Sequence, residues 1–114
     1  MSDCIFCKIV RGEIPSRKIF EDDEILAFHD LNPKAPTHFL VIPKRHIPNL
    51  MELAPADSAL AGHLVYEAQR IAGELGCAER GARFVFNCKS DGGQTVDHLH
   101  LHVLGGRPLG WPPG

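Results

Sequence analysis

Residues His98 to Leu104 read "HLHLHVL", a strict alternation that has few ways to fold. On a β-strand, side chains two apart share a face and lie about 6.7 Å apart. Leu99, Leu101 and Val103 then enter a core, while His98, His100 and His102 line the opposite side. The three rings do not make one zinc centre. With zinc–nitrogen bonds of about 2.1 Å, His98 and His102, about 13 Å apart at Cα, cannot both reach a single ion. A merely solvated strand is a poor account of so regular a row, and the apolar residues between the rings exclude a tag-like tract. A neutral imidazole, with an ordinary pKa of about 6.5, serves as nucleophile or general base at neutral pH. A middle ring on a rigid strand is well held for attack.

Other segments supply partners for that strand. "RKIFE" (17–21) and "EILAFHD" (24–30) are short β-forming runs around the charged "DDE", and predict a hairpin. "THFLVIP" (37–43), set off by Pro36 and Pro43, is almost wholly apolar and predicts a central strand. "ARFVFNC" (82–88) predicts a fourth strand, joined by the polar "KSDGGQTVD" to an antiparallel neighbour in the histidine row. One long helix is predicted from Pro55 or Ala56 to Leu75. Its apolar face is Leu60, Leu64, Ala68, Ile71 and Leu75, and its polar face His63, Glu67, Arg70 and Glu74. Gly76 ends it in a left-handed cap. Asp3 is the expected N-cap of a short helical turn over "CIFCKIV", which puts Phe6 and Ile9 on similar sides. The expected class is α+β, a five-stranded antiparallel sheet with one long helix.

At 114 residues the chain is read as one domain, 1–114, with 105–114 as an extended tail too rich in glycine and proline for regular structure. Lys and Arg total 12 against 14 Asp and Glu, so no overall field draws the protein to nucleic acid or an anionic membrane. Phosphate recognition must be local. "SDGGQT" (90–95) offers it, with amides of Gly92 and Gly93 beside Gln94 and Thr95. "MSDCIFCKIV" lacks the basic end and long apolar run of a secretion signal, and no stretch approaches the roughly 20 apolar residues of a membrane span. The expected location is the cytoplasm, where the four cysteines stay reduced. "CIFC" is open to three readings: half a zinc site, a redox dithiol, or two small core residues. The redox reading is weak because the motif precedes every strand. Cys77 and Cys88 are read as packing residues.

The row His98-Leu99-His100-Leu101-His102-Val103-Leu104 resembles the signature of the histidine triad (HIT) family. "CIFCKIVRGEIPSRKIFEDDEILAFHDLNPKAPTHFLVIPKRHI", "NCKSDGGQTVDHLHLHVLGGR" and the terminal "WPPG" are similar to its Hint-like branch along almost the whole chain. The resemblance implies a HIT-like fold with a short N-terminal helix, a homodimer whose sheets join, and hydrolysis of purine nucleoside phosphoramidates or adenylylated compounds. The nucleoside monophosphate would leave through a covalent nucleotidyl-histidine intermediate. On this likeness His100 would be the nucleophile, supported by His102 near phosphate oxygens and by His38. Asn87, Thr95 and the Gly93 amide, beside Gln94, would bind phosphate, and Asp30 the ribose hydroxyls. Phe6, Ile9, Ile14, Phe28, His29, Leu31 and Leu40 would wall the base pocket, and Trp111 would reach toward the partner's site.

The resemblance implies no cofactor for the chemistry. It does imply a structural zinc at Cys4, Cys7, His46 and His98, as in some bacterial members. Two positions depart from the family: Thr95 stands where a serine is usual, and Asp97 adds a charge beside the row. A zinc-bearing nucleotide-binding or protein-interaction module with little turnover is the alternative reading. A metallohydrolase, whose activity would vanish with a chelator, is a third.

Overall fold

Strand alternation divides the apolar residues between two faces of one sheet. The structure, a computed structural model, describes residues 4–114. The strands are β1 (Lys18–Glu21), β2 (Ile25–His29), β3 (Thr37–Pro43), β4 (Ala82–Phe86) and β5 (Leu101–Gly105), in the order β1-β2-β3-β5-β4. Every neighbouring pair is antiparallel. β3 is the middle strand, with six of its seven residues buried, as its apolar run predicts. Ile25, Ala27, Phe39, Val41, Leu101 and Val103 pack on one face with Leu64, Ala68 and Ile71 of helix α2 (Ser58–Ala72). On the other face Leu26, Phe28, Leu40 and Ile42 receive Phe6 and Ile9 from helix α1 (Ile5–Val10). Each of the larger side chains contributes about 1.5–3 kcal/mol when fully buried. The predicted N-cap Asp3 lies outside the described residues. Cys4 caps α1 instead, its Sγ accepting from the Cys7 amide at 3.4 Å.

The regular elements are shorter than the sequence periodicity suggests. α2 covers 58–72, entered through a tight turn at Pro55–Asp57 and left through a wide turn at Gly73–Cys77, with Gly76 at φ 93°. Leu75 falls in that wide turn, where the helical period no longer holds, and is 38 % exposed rather than packed under the helix. Glu67, on the expected polar face, is buried, and its carboxylate accepts from Arg70 Nε at 2.6 Å. β4 stops at Phe86, leaving Asn87 and Cys88 in the connection, where Lys89–Gly92 form a single helical turn.

A larger correction concerns the histidine row: β5 begins at Leu101, so only His102 of the three lies on a paired strand. The ladders explain this. β3 ends at Pro43, which has no N–H to donate, and β4 ends opposite Leu101. The Leu99 amide donates to Ile47 O at 2.6 Å instead. The sorting of faces survives the loss of pairing. Leu99 joins the α2-side core, while the rings of His98 and His100 meet Phe6.

β5 runs through Gly105, so the irregular tail begins at Gly106. A Cβ at Gly105 would stand 2.7 Å from Cys77 Sγ and 3.4 Å from Ala82 Cβ, both held by the core. Gly105→Ala is expected to cost about 1–3 kcal/mol through this overlap, read as a lower urea midpoint at unchanged slope. Cys77 is buried there, as expected of a packing residue, and Cys88 is half-buried. Among the described residues no helix is long and apolar enough to cross a membrane.

Candidate active site and cysteine-histidine cluster

The face not covered by α2 gathers His38 from β3, His102 from β5 and the incoming His98 and His100. Their hydrogen bonds assign each ring a tautomer. The Lys34 amide donates to His38 Nδ1 at 3.0 Å, so that nitrogen carries no proton and Nε2 does. His38 Nε2 then donates to His102 Nδ1 at 3.0 Å, with Asp30 Oδ2 3.5 Å away from the same nitrogen. The proton of His102 is left on Nε2. His100 is set the opposite way: its Nδ1 lies 2.7 Å from the carbonyl of His98, which can only accept, so its Nε2 keeps a lone pair. The rings of His100 and His102 are 4.8 Å apart between centroids.

No enclosed side-chain nitrogen or oxygen among the described residues lacks a partner, and the Nε2 atoms of His100 and His102 have none; both are therefore open to a ligand. One offers an electron pair and the other a proton. Burial keeps the rings neutral. It pushes His100 and His38 below the usual histidine range, although Asp30 pulls both back. His102 falls to about 4 through burial and the neighbouring His100 and His38.

Beside the rings lies an apolar floor of Phe6, Ile9, Phe28 and Leu40, with Ile14 at its margin. Val96 packs against it too; the sequence reading missed this lone apolar residue in a polar loop. Two predicted wall residues do not join. The register pairs His29 with Phe39, on the α2 side, as odd positions of β2 require; Leu31, beyond the strand, is 79 % exposed. The side chain of Gln94 is spent bracing its loop and tying it to the segment after β3: Oε1 accepts from the Lys89 amide, and Nε2 donates to Val96 O and Pro48 O. Gly93, at φ 78°, closes the helical turn before the exposed Thr95. Asn87 follows β4 directly. Asp30 Oδ1 accepts from the Asn32 amide at 2.8 Å. Trp111 is 81 % exposed, and Arg83, also missed, tethers the tail by donating to Gly110 O at 2.7 Å.

Cys4, Cys7, His46 and His98 come together behind Phe6, with four ligand atoms within 4.8 Å of one another. Cys4 Sγ and Cys7 Sγ lie 3.3 and 3.6 Å from His98 Nδ1, and Cys7 Sγ is 3.3 Å from His46 Nδ1. A tetrahedral zinc ion holds such atoms about 3.4–3.8 Å apart. The tautomer fits as well, because His98 Nε2 donates to Pro43 O at 2.8 Å and leaves Nδ1 bare. Burial pushes His98 down to about 4, and burial with the adjacent Cys4 pushes the Cys7 thiol up. A cation would relieve the cost of ionising two neighbouring thiols.

Asp30, His38 and His102 are equally close together, yet they do not suit a metal. His38 Nε2 could ligate only by moving its proton to Nδ1, where the Lys34 N–H already points. This second cluster is a hydrogen-bonded relay.

The chain matches the HIT domain over residues 11–109. It is 53 % identical over 112 residues to an uncharacterized HIT-like protein of Synechocystis, covering 98 % of this chain and 97 % of the relative. It is 44 % identical over 108 residues to the purine nucleoside phosphoramidase of Escherichia coli K12, covering 95 % and 91 %. Among solved structures, a HIT family hydrolase from Legionella pneumophila superposes with a TM-score of 0.96 at 51 % identity, over 98 % of this chain and 100 % of that one. A histidine triad protein from Clostridium difficile gives 0.93 at 49 %, over 96 % of each.

Proposed function

Because the chain belongs to the HIT domain family, as its match over residues 11–109 and its relatives establish, we propose that it is a nucleotide hydrolase acting on purine nucleoside phosphoramidates or adenylylated compounds. The observation that carries this reading is the opposite protonation of two adjoining rings, His100 with an open lone pair and His102 with an open N–H. His100 Nε2 attacks the α-phosphorus. The P–N bond to the leaving amine breaks, its electron pair goes to nitrogen, and the Nε2–H of His102 supplies the proton. Water then cleaves the phosphorus–His100 bond, releases the nucleoside monophosphate and returns the proton.

His38 holds His102 in the donating tautomer, with Asp30 beside it, so proton placement is fixed before substrate arrives. Asn87, Thr95 and the Gly93 amide receive the phosphoryl oxygens, and Gln94 shapes the loop that presents them. Phe6, Ile9, Ile14, Phe28 and Leu40 take the base, and Asp30 the ribose hydroxyls. The steps require no metal; a zinc ion at Cys4, Cys7, His46 and His98 would be structural. We take 1–114 as one domain working in the cytoplasm as a homodimer. β4 is an outer strand with Phe84 exposed, which favours sheet joining along that edge; a solution mass of two chains is the expected result.

The test is AMP release from an adenosine phosphoramidate, with an adenylyl group trapped by acid quench and mapped by mass spectrometry to His100. Turnover with no adduct on that ring would refute the mechanism. A pH profile adds a separate check. His102 titrates at about 4, and burial also depresses His38 and the nucleophile His100, so kcat/KM is expected to stay level as pH falls from 8 through 6.5 and to drop only below that, as the rings charge. Stability follows the same sign. Between about 6.5 and 4 the unfolded chain binds the proton that folded His102 refuses, so stability declines as pH drops through that window. A profile centred near 6.5 would contradict both.

A further inference from the structure

We propose that His98 is a positioning residue that couples occupancy of the cysteine-histidine site to the aim of the nucleophile, an inference that rests on the hydrolase reading. His98 works in two directions. Its ring turns Nδ1 to Cys4 and Cys7 and gives its Nε2–H to Pro43 O, while its carbonyl accepts from His100 Nδ1 at 2.7 Å. No strand ladder fixes either residue, since β5 starts only at Leu101. The Leu99 amide bond to Ile47 O, next to the cluster's His46, and the anchored His98 ring together do what pairing would have done.

Phe6 adds a second link, set edge-on to His98 at 5.8 Å and to His100 at 5.2 Å between ring centroids. It sits between Cys4 and Cys7 in the chain, so the helix that one thiol caps and the other rides on also carries the residue packed against both rings. Without the metal, His98 Nδ1 is left to weak sulfur hydrogen bonds from Cys4 and Cys7 beside the Pro43 bond. The peptide that carries its carbonyl is held through the Leu99 amide to Ile47 O, next to the cluster's His46, so both supports loosen together. Catalytic geometry is sensitive to displacements of about 1 Å, and partners behind a reacting group typically matter by about 10–100-fold.

Cys4→Ser separates metal loss from helix loss, because serine is a good N-cap yet supplies no thiolate. Chelated wild type and Cys4→Ser, each checked for metal content and for folding by circular dichroism, are compared with the zinc-loaded protein. Single-turnover adenylyl transfer is expected to slow about 10–100-fold, KM to move by less than about threefold, and the 15N-resolved Nδ1–H signal of His100 to be lost to exchange. Cobalt(II) added to the chelated protein restores rate and signal in step with its thiolate-to-metal absorbance; in Cys4→Ser it does not. An unchanged rate and signal in folded, metal-free protein would overturn the proposal, as would a rate that falls only in proportion to unfolded chain. If the zinc-loaded wild type does not turn over, the hydrolase reading fails, while the Nδ1–H signal still decides the positioning.

Discussion

His100→Ala is expected to release AMP from an adenosine phosphoramidate about 10³–10⁶-fold more slowly than the parent protein, the range set by loss of a covalent nucleophile. The size of the loss follows from the tautomers. Of the rings at the site, His38 has both nitrogens engaged and His102 offers a proton, so neither can take over as an electron-pair donor. Binding should behave differently. The apolar floor and Asp30 lie on other elements, so AMP affinity is expected within about tenfold of the parent, a small change beside the rate because truncating one ring leaves the remaining contacts in place. Burst kinetics should vanish with the rate. Equal AMP release by parent and variant would sink the assignment. Retained AMP affinity with no turnover in either protein would favour a nucleotide-binding module.

Much of this architecture was legible because strand and helix periods are short-range properties. The apolar run of β3 requires cover on both sides, and the alternation of Leu99, Leu101 and Val103 requires a core on one. The same rule, applied to β2, would have put His29 opposite the site: Ile25, Ala27 and His29 share a face, and only the family likeness placed the ring elsewhere. Ends of elements were less legible because they depend on partners distant in sequence. Neither the start of β5 nor the exposure of Leu75 is written in its own neighbourhood.

The tautomers were out of reach altogether. That His38 donates from Nε2 and His100 keeps a lone pair on its own Nε2 is decided by the Lys34 amide and the His98 carbonyl, backbone groups with no signature in a string of residues. Gln94 shows the reverse case. A polar residue in a glycine-rich loop reads as a phosphate ligand until its three hydrogen bonds, two to the loop and one to Pro48, are seen.

Removing the metal from the cysteine-histidine cluster is expected to lower the melting temperature by about 10 °C or more. A site held at a thousandfold excess over its dissociation constant contributes about 4 kcal/mol, and for a domain of this size 1 kcal/mol corresponds to roughly 2–8 °C. The fold should loosen rather than collapse. α1 has only six residues, too few to persist alone, but Phe6 and Ile9 still dock it on Leu26, Phe28, Leu40 and Ile42 when the metal is gone. Protein purified without a histidine tag should carry one zinc per chain. Cys7→Ser should abolish that stoichiometry and reproduce the effect of chelation, and chelator should then have no further effect on it.

His38→Ala separates the two clusters. The proton placement at His38 excludes a metal between Asp30, His38 and His102, so this variant should lose activity while keeping its full complement of zinc and its response to chelator. Affinity should also rise with pH, because binding must displace the proton that burial and Cys4 hold on the Cys7 thiol. Zinc that follows His38 rather than Cys7, or a melting temperature indifferent to chelator in metal-loaded protein, would remove the structural role assigned to these four residues.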